Sequence, residues 1–173
     1  MYLMYADEAD QDGSKEFLVY AAVFFPAEKV LELHNSLVKL RYKYGFKDAD
    51  HLKFSTGTKP PHVSRDDHTN IKNDILDLAI QNSCQTCCYV IPHAIAKGRS
   101  HEDRLKFGIN TLLMKFDQFL SENGCCAGSA RFDHTTDFIN FSISKKCFRL
   151  ELIFKDVEKN SSELFQLSKL ALV

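Results

Sequence analysis

Apolar residues at the start of the chain follow the pattern of β-strands. Residues 1–6 alternate large side chains, and residues 17–25 form a continuous aromatic and β-branched run, as in strands that are covered on both faces. The segment between them, Asp10 to Ser14, has the composition of a turn. The two runs therefore predict a β-hairpin.

The next apolar residues recur at the three- and four-residue intervals of a helix. Pro26 opens the first predicted helix and Gly45 ends it, with a buried stripe at Val30, Leu33, Leu37 and Leu40. Ser64, with Asp67 three residues later, predicts the start of a second helix, whose stripe is Ile71, Ile75, Leu78 and Ala79. A third and longer helix is predicted from about His101 to Asn123.

The remaining segments complete an α/β pattern. Two more strands are predicted at residues 84–91 and 125–132, and two more helices at residues 135–150 and 161–173. Residues 46–66 form an irregular stretch that is too long to be idle in a compact domain, and such loops usually cover a site. With no internal repeat and no linker, the sequence predicts one α/β domain over residues 1–173.

The composition limits the binding partners and the cellular compartment that we expect for the protein. The chain has 22 basic and 23 acidic residues and a net charge of −1, which argues against an overall cationic coat but permits a local patch. Its longest apolar run, residues 17–25, is far shorter than the ~20 residues of a membrane span, and the N-terminus lacks the features of a signal peptide. We therefore expect a cytoplasmic protein with no membrane partner, whose six cysteines are reduced thiols.

A zinc site is the alternative interpretation of the cysteines. Cys84 and Cys87 have a C-x-x-C spacing, and Cys125 and Cys126 are adjacent, but a structural zinc site needs four ligands at suitable spacing. Strand alternation would also place Cys84 and Cys87 on opposite faces of the sheet. Buried thiols are the favoured interpretation.

Two aspartates that follow predicted strands indicate a candidate site. Asp7 and Asp133 each fall at the carboxyl end of an apolar run, where α/β sheets place their ligands. If the two strands are neighbours, the carboxylates converge, and a hard divalent cation such as Mg²⁺ or Mn²⁺ would stabilise both in the ionised form. Such a metal site suits phosphodiester cleavage. The alternative is that acidic residues follow strands because strands end in turns.

Several short motifs resemble a bacterial and phage protein family known as domain of unknown function 3800. They are YADEADQDG at residues 5–13, FLVYAAVFF at 17–25, LKFS at 52–55 and ARFDHTTDF at 130–138. The resemblance extends over essentially the whole chain and implies a ribonuclease-H-like fold, with a central mixed sheet flanked by helices. It also implies a metal-dependent nuclease, or a relative that lost catalysis. Asp7 and Glu8 match the acids of the family's first strand, and Asp133 matches the acid after a later strand.

The chain departs from the family's pattern at two places. Many relatives carry an acid just before Leu-Lys, where this chain has His51 with Asp50 beside it. Relatives carry Gln-x-x-Asp near the C-terminus, whereas residues 166–169 end in Lys169. Relatives also continue further, so we expect a truncated or diverged C-terminus that lacks the last metal ligand. The resemblance thus implies four catalytic candidates, of which the first and last are metal ligands: Asp7, Glu8, His51 and Asp133.

A basic and aromatic segment is the candidate for nucleic-acid contact. Residues 36–47 contain no acid and interleave cations with aromatic side chains, a composition that can bind phosphates and stack bases. The alternative is a solvated helix face whose aromatic residues pack inward. The predicted substrate-binding residues are Lys39, Arg41 and Lys43 in this segment and Lys53 in the long loop, where Lys59 and Arg65 lie nearby.

The sequence leaves three functions open. The first is a metal-dependent nuclease that acts on DNA or RNA through Asp7 and Asp133. The second is a non-catalytic relative that binds nucleic acid or protein, which Lys169 favours. The third is an incomplete chain whose last apolar residues would drive formation of a homodimer or aggregation, namely Leu164, Leu167 and Leu170.

Overall fold

The computed structural model of the chain describes residues 1–9, 16–125, 127–132 and 150–153, with the backbone alone for residue 56 and residues 150–153. The strands are β1 (Tyr2–Ala9), β2 (Phe17–Pro26), β3 (Gln85–Pro92), β4 (Gly128–Phe132) and β5 (Leu150–Ile153). The helices are α1 (Val30–Lys43), α2 (Arg65–Gln81), the short α3 (His93–Ala96) and α4 (His101–Glu122). The predicted helix over residues 161–173, with its expected dimer contacts, lies outside the described residues.

The described strands form one mixed sheet in the order β3-β2-β1-β4-β5. Strand β2 is antiparallel to β1 and β3, whereas β4 is parallel to β1 and β5. The register of β1 and β2 runs from Tyr2 opposite Pro26 to Ala9 opposite Val19, which confirms that the first two apolar runs pair as predicted. A mixed sheet flanked by helices confirms the predicted α/β class.

Side-chain alternation along the central strands sends residues to two cores. Met4 and Ala6 of β1 pack on the α4 face of the sheet, and Tyr5 packs on the face covered by α1 and α2. The α4 core is rich in aromatic rings, and the ring centroid of Phe24 lies 5.0 Å from that of Phe116. The continuous apolar run of β2 is explained because both faces of that strand are covered.

The helix boundaries are set by local chemistry. The hydroxyl of Ser64 accepts a hydrogen bond from the Asp67 N–H at 3.0 Å and caps α2, as predicted. Helix α1 begins at Val30 rather than after Pro26, because Ala27–Lys29 form a 3₁₀ turn. None of the described helices is both long and apolar enough to cross a bilayer.

Candidate active site

Strand β4 ends beside Ala6 of β1, and β1 continues past that point to Ala9. The two strands are parallel neighbours, and Ala6 of β1 stands opposite Phe132 of β4. Asp7 follows Ala6 directly, and Asp133 follows Phe132 in the sequence but lies outside the described residues. The condition for convergence of the two aspartates, that their strands are adjacent, is therefore met by the strand order.

Asp7 and Glu8 occupy opposite faces of β1. Asp7 stands opposite Ala21 on the face that Tyr5 shares with α1 and α2, and its side chain is partly buried. One carboxylate oxygen of Asp7, Oδ1, accepts the backbone N–H of Glu8 at 3.0 Å. Glu8 belongs to the α4 face, so within β1 these two acidic side chains do not converge.

A basic and phenolic pair lies beside Asp7 on the same face. The guanidinium carbon of Arg131 stands 5.6 Å from the ring centroid of Tyr5, its register partner across β1 and β4. Burial raises the pKa of the Tyr5 phenol, and the charge and hydrogen bond of Arg131 partly offset that rise. The pair places a fixed positive charge one residue before the end of β4, on the face of the sheet that carries Asp7.

The described part of the chain supplies little of a metal site by itself. Among the described residues, no group of three or more His, Cys, Asp or Glu side chains could hold a metal ion. Asp7 provides one hard oxygen ligand on its face of the sheet, which suits Mg²⁺ or Mn²⁺ chemically. The second predicted ligand, Asp133, lies outside the described residues.

The loop between α1 and α2, residues 44–64, packs on the same face of the sheet as Asp7. Its apolar residues join the same core as Tyr5, namely Phe46, Leu52 and Val63.

Arg41 fixes the first half of this loop from α1. Its side chain is only 6% exposed, and its guanidinium donates hydrogen bonds to the carbonyl groups of Lys47 at 2.9 Å and Asp50 at 2.8 Å. A longer contact of 3.4 Å reaches the carbonyl of Asp48. Arg41, which the sequence predicts as a substrate-binding residue, is thus a buried residue that holds the loop through backbone carbonyl groups.

Asp50 closes the same half of the loop. One carboxylate oxygen accepts the backbone N–H of Lys47 at 2.6 Å and contacts Nε2 of His62 at 2.9 Å. The hydrogen bond from Lys47 is the main cause that lowers the pKa of Asp50, and His62 adds to it. His51, the predicted catalytic helper, follows Asp50 and is exposed on the loop surface.

Three basic side chains hold the second half of the loop. Nε2 of His68 donates to the carbonyl of Lys53 at 2.9 Å, and Nζ of Lys72 donates to the carbonyl of Phe54 at 2.6 Å. Nζ of Lys72 also lies 4.5 Å from the centroid of the Phe54 ring. Lys59 bonds the carbonyl of Val63 at 2.6 Å. Burial lowers the pKa of both His68 and Lys72, and nearby Lys72 and Lys59 charges further lower that of His68.

The other predicted substrate-binding residues are on the surface. Lys39, Lys43 and Lys53 are exposed. The ammonium of Lys43 contacts a carboxylate oxygen of Asp74 at 2.8 Å, and the hydroxyl of Tyr44 donates to the same oxygen at 2.7 Å. The bond to Asp74 is the main cause that raises the pKa of Lys43 to about 12. Lys43 is therefore held in an ion pair.

The described cysteines are free thiols. Cys84 packs on the core of α1 and α2 and Cys87 on that of α4, so they occupy opposite faces as predicted. Burial raises the pKa of the Cys84 thiol to about 11 and also raises that of Cys87. Neither thiol is activated as a nucleophile or poised as a shared metal ligand.

Comparison with known proteins finds similarity to solved structures, among them two ribonucleases H. No protein-family model matches the chain, and no curated protein sequence matches it. RNase H3 from Aquifex aeolicus is similar at 14% identity and a TM-score of 0.47, with 97% of this chain covered and 53% of that one. The RNase HII of the PCNA:RNase HII complex from Archaeoglobus fulgidus is similar at 14% identity and a TM-score of 0.48, with 99% and 69% covered. The chain thus spans about half the length of the first of these enzymes.

Proposed function

We propose that the chain is a ribonuclease-H-like domain that cleaves nucleic-acid phosphodiester bonds with a divalent metal held by Asp7 and Asp133. The parallel pairing of β1 and β4, with Ala6 opposite Phe132, carries the proposal. Each of these two residues is followed in the sequence by one of the aspartates, and β4 ends at this register position, at the carboxyl side of the strands where α/β sheets bind ligands. The motifs that resemble the family described above point to the same pair of acids.

The chemistry of the donor set fits Mg²⁺ or Mn²⁺. Aspartate oxygens are hard ligands, and two carboxylates that face one another need a cation between them to stay ionised. A bound divalent ion there would activate water and stabilise the leaving oxygen of a phosphodiester. We do not assign Glu8 or His51 as metal ligands, because Glu8 lies on the opposite face of β1 and His51 is on the loop surface.

The substrate would lie across the loop and the end of α1. Exposed Lys39 and Lys53 offer their ammonium groups to backbone phosphates, while Lys43 first has to leave Asp74. Arg131, fixed beside Tyr5, adds positive charge near the end of β4. This arrangement supports a polyanionic substrate although the net charge of the chain is −1.

Cleavage of single- and double-stranded DNA and RNA, with and without Mn²⁺, tests the proposal. We expect metal-dependent cutting by the parent protein, its loss in Asp7→Asn and its retention in Asp77→Asn, a matched change at an exposed position of α2. Circular dichroism would establish that all three proteins are folded. A folded parent that cuts none of the substrates would overturn the catalytic proposal. It would favour a non-catalytic domain that binds nucleic acid or protein, which is the function that Lys169 favours.

A further inference from the structure

Lys72 and His68 are two buried basic residues beneath the loop, and neither has an acidic partner among the described residues. The side chain of His68 is fully buried and that of Lys72 is 9% exposed. Each bonds one backbone carbonyl of neighbouring residues, Lys53 and Phe54. No carboxylate in the described part of the chain forms an ion pair with Lys72 or His68. A buried ammonium that bonds only a carbonyl costs desolvation energy, so such an arrangement needs a reason beyond general stability.

The two carbonyls belong to the part of the loop that displays a predicted substrate-binding residue. The backbone carbonyl of Lys53 accepts a hydrogen bond from buried His68, while the Lys53 side chain is exposed. Phe54 is fixed twice by Lys72, through its carbonyl and through its ring. The His68 and Lys72 side chains are one helical turn apart on α2. The helix therefore fixes the position of the loop backbone at Lys53.

We propose that Lys72 and His68 are positioning residues that hold the Lys53–Phe54 backbone and so present the Lys53 ammonium to a nucleic-acid phosphate on the face of the sheet that carries Asp7. This inference rests on the proposed function, because it assigns the positioned group to the phosphodiester substrate. Lys72 acts through Lys53 and does not itself contact the substrate. A loop that is already ordered binds its ligand more tightly than a mobile loop does. The conformational entropy of the ordered loop is lost during folding and not during binding.

The holding of the loop can be measured without any nucleic acid. Trypsin cleaves after Lys53 once the loop opens, and Lys72→Met should increase the rate of that cut about tenfold, since a hydrogen bond from a charged group is lost. Lys72→Arg should restore much of the protection, because it keeps a cationic donor. Lys115→Met, at an exposed position of α4, is the matched control and should leave the rate unchanged. An unchanged rate in Lys72→Met would overturn the proposal.

Coupling to binding is measured by a double-mutant cycle with a short fluorescent oligonucleotide. If Lys72 acts through Lys53, Lys72→Met should weaken binding about tenfold in the parent and have little effect in a Lys53→Ala background. Equal effects in both backgrounds would contradict the proposed action through Lys53. A parent protein that binds none of the tested DNA or RNA would overturn the proposed function, and the trypsin rates would still decide whether Lys72 holds the loop.

Discussion

The ring of Tyr20 in β2 lies directly against the backbone of Gly108 in α4. A Cβ atom added at Gly108 would stand 2.3 Å from two carbons of that ring, and Tyr20 is only 1% exposed. The ring cannot easily move away, because closely packed cores respond to extra atoms by strain. This contact sets the spacing between α4 and the sheet.

Gly108→Ala should therefore destabilise the protein although alanine is the better helix former. We expect a net loss of about 1–3 kcal/mol from overpacking, against a propensity gain of up to about 1 kcal/mol. Urea unfolding measures the difference, and Asn110→Ala at an exposed position of the same helix should be neutral or stabilising. A Gly108→Ala protein as stable as the parent would contradict the tight packing described for Tyr20.

Arg41 should contribute more to the free energy of unfolding than an arginine on the surface does. Arg41→Met would remove the guanidinium donor from the Asp50 carbonyl and would leave the Lys47 carbonyl with only the Asp50 N–H, at a cost of about 1–3 kcal/mol. Arg41→Lys should recover only part, because one ammonium cannot reproduce the fork of a guanidinium. Chemical denaturation would measure both, with Arg99→Met at an exposed position as the control. Equal midpoints for Arg41→Met and Arg99→Met would show that the loop does not depend on Arg41.

Periodicity was sufficient to predict most of the described elements, because it reflects local packing. The cap at Ser64, the long helix α4 and the hairpin pairing of β1 with β2 all depend on residues close together in sequence. Strand β5 (Leu150–Ile153) was not predicted, and the predicted helix over residues 135–150 lies outside the described residues except for Leu150. Its parallel pairing with β4 is a long-range relationship that local periodicity does not encode.

The candidate site, like the fold, could be predicted only in part from the sequence. The sequence predicted Asp7 as a site residue at the end of a strand, whereas Asp7 lies within β1, paired with Ala21. The residues that hold the loop were missed because their bonds span 15 residues at His68 and 18 at Lys72. A signal was present in the sequence: His68 and Lys72 continue the buried stripe of Ile71 and Ile75, and Arg41 continues that of Leu37. A basic residue on an apolar stripe indicates a buried structural partner, which is a different role from surface phosphate contact.

Lys39 and Lys43 should differ in their contribution to nucleic-acid binding although both are exposed. Lys43 is paired with Asp74, whereas Lys39 forms no ion pair among the described residues. If both reach phosphate, Lys39→Gln should reduce the slope of log K against log[salt] by about one, and Lys43→Gln should reduce it less. Fluorescence anisotropy titrations at several NaCl concentrations measure the slopes. Unchanged slopes in both variants would remove α1 from the binding surface.

His68 should make the stability of the protein fall as the pH drops below its ordinary pKa of 6.5. Nε2 of His68 donates to the Lys53 carbonyl, while Nδ1 is buried with no partner among the described residues. A second proton would lie on that nitrogen near the charges of Lys72 and Lys59, against the ring of Phe46. Because its pKa is lower in the folded state than in the unfolded state, neutral His68 favours folding above pH 6.5, and this contribution is lost as the pH falls toward the folded value.

The stability of His68→Gln should depend less on pH, since glutamine can donate to the same carbonyl without titrating. Urea midpoints at about pH 7.5 and about pH 5.5 would measure this, in a range well above the titration of Asp50 and Asp74, whose pKa values are lowered from 3.8. His101→Gln, which removes an exposed imidazole from the start of α4, should keep the pH dependence of the parent. If His68→Gln loses as much stability on acidification as the parent does, the buried imidazole is not the group whose protonation releases the loop.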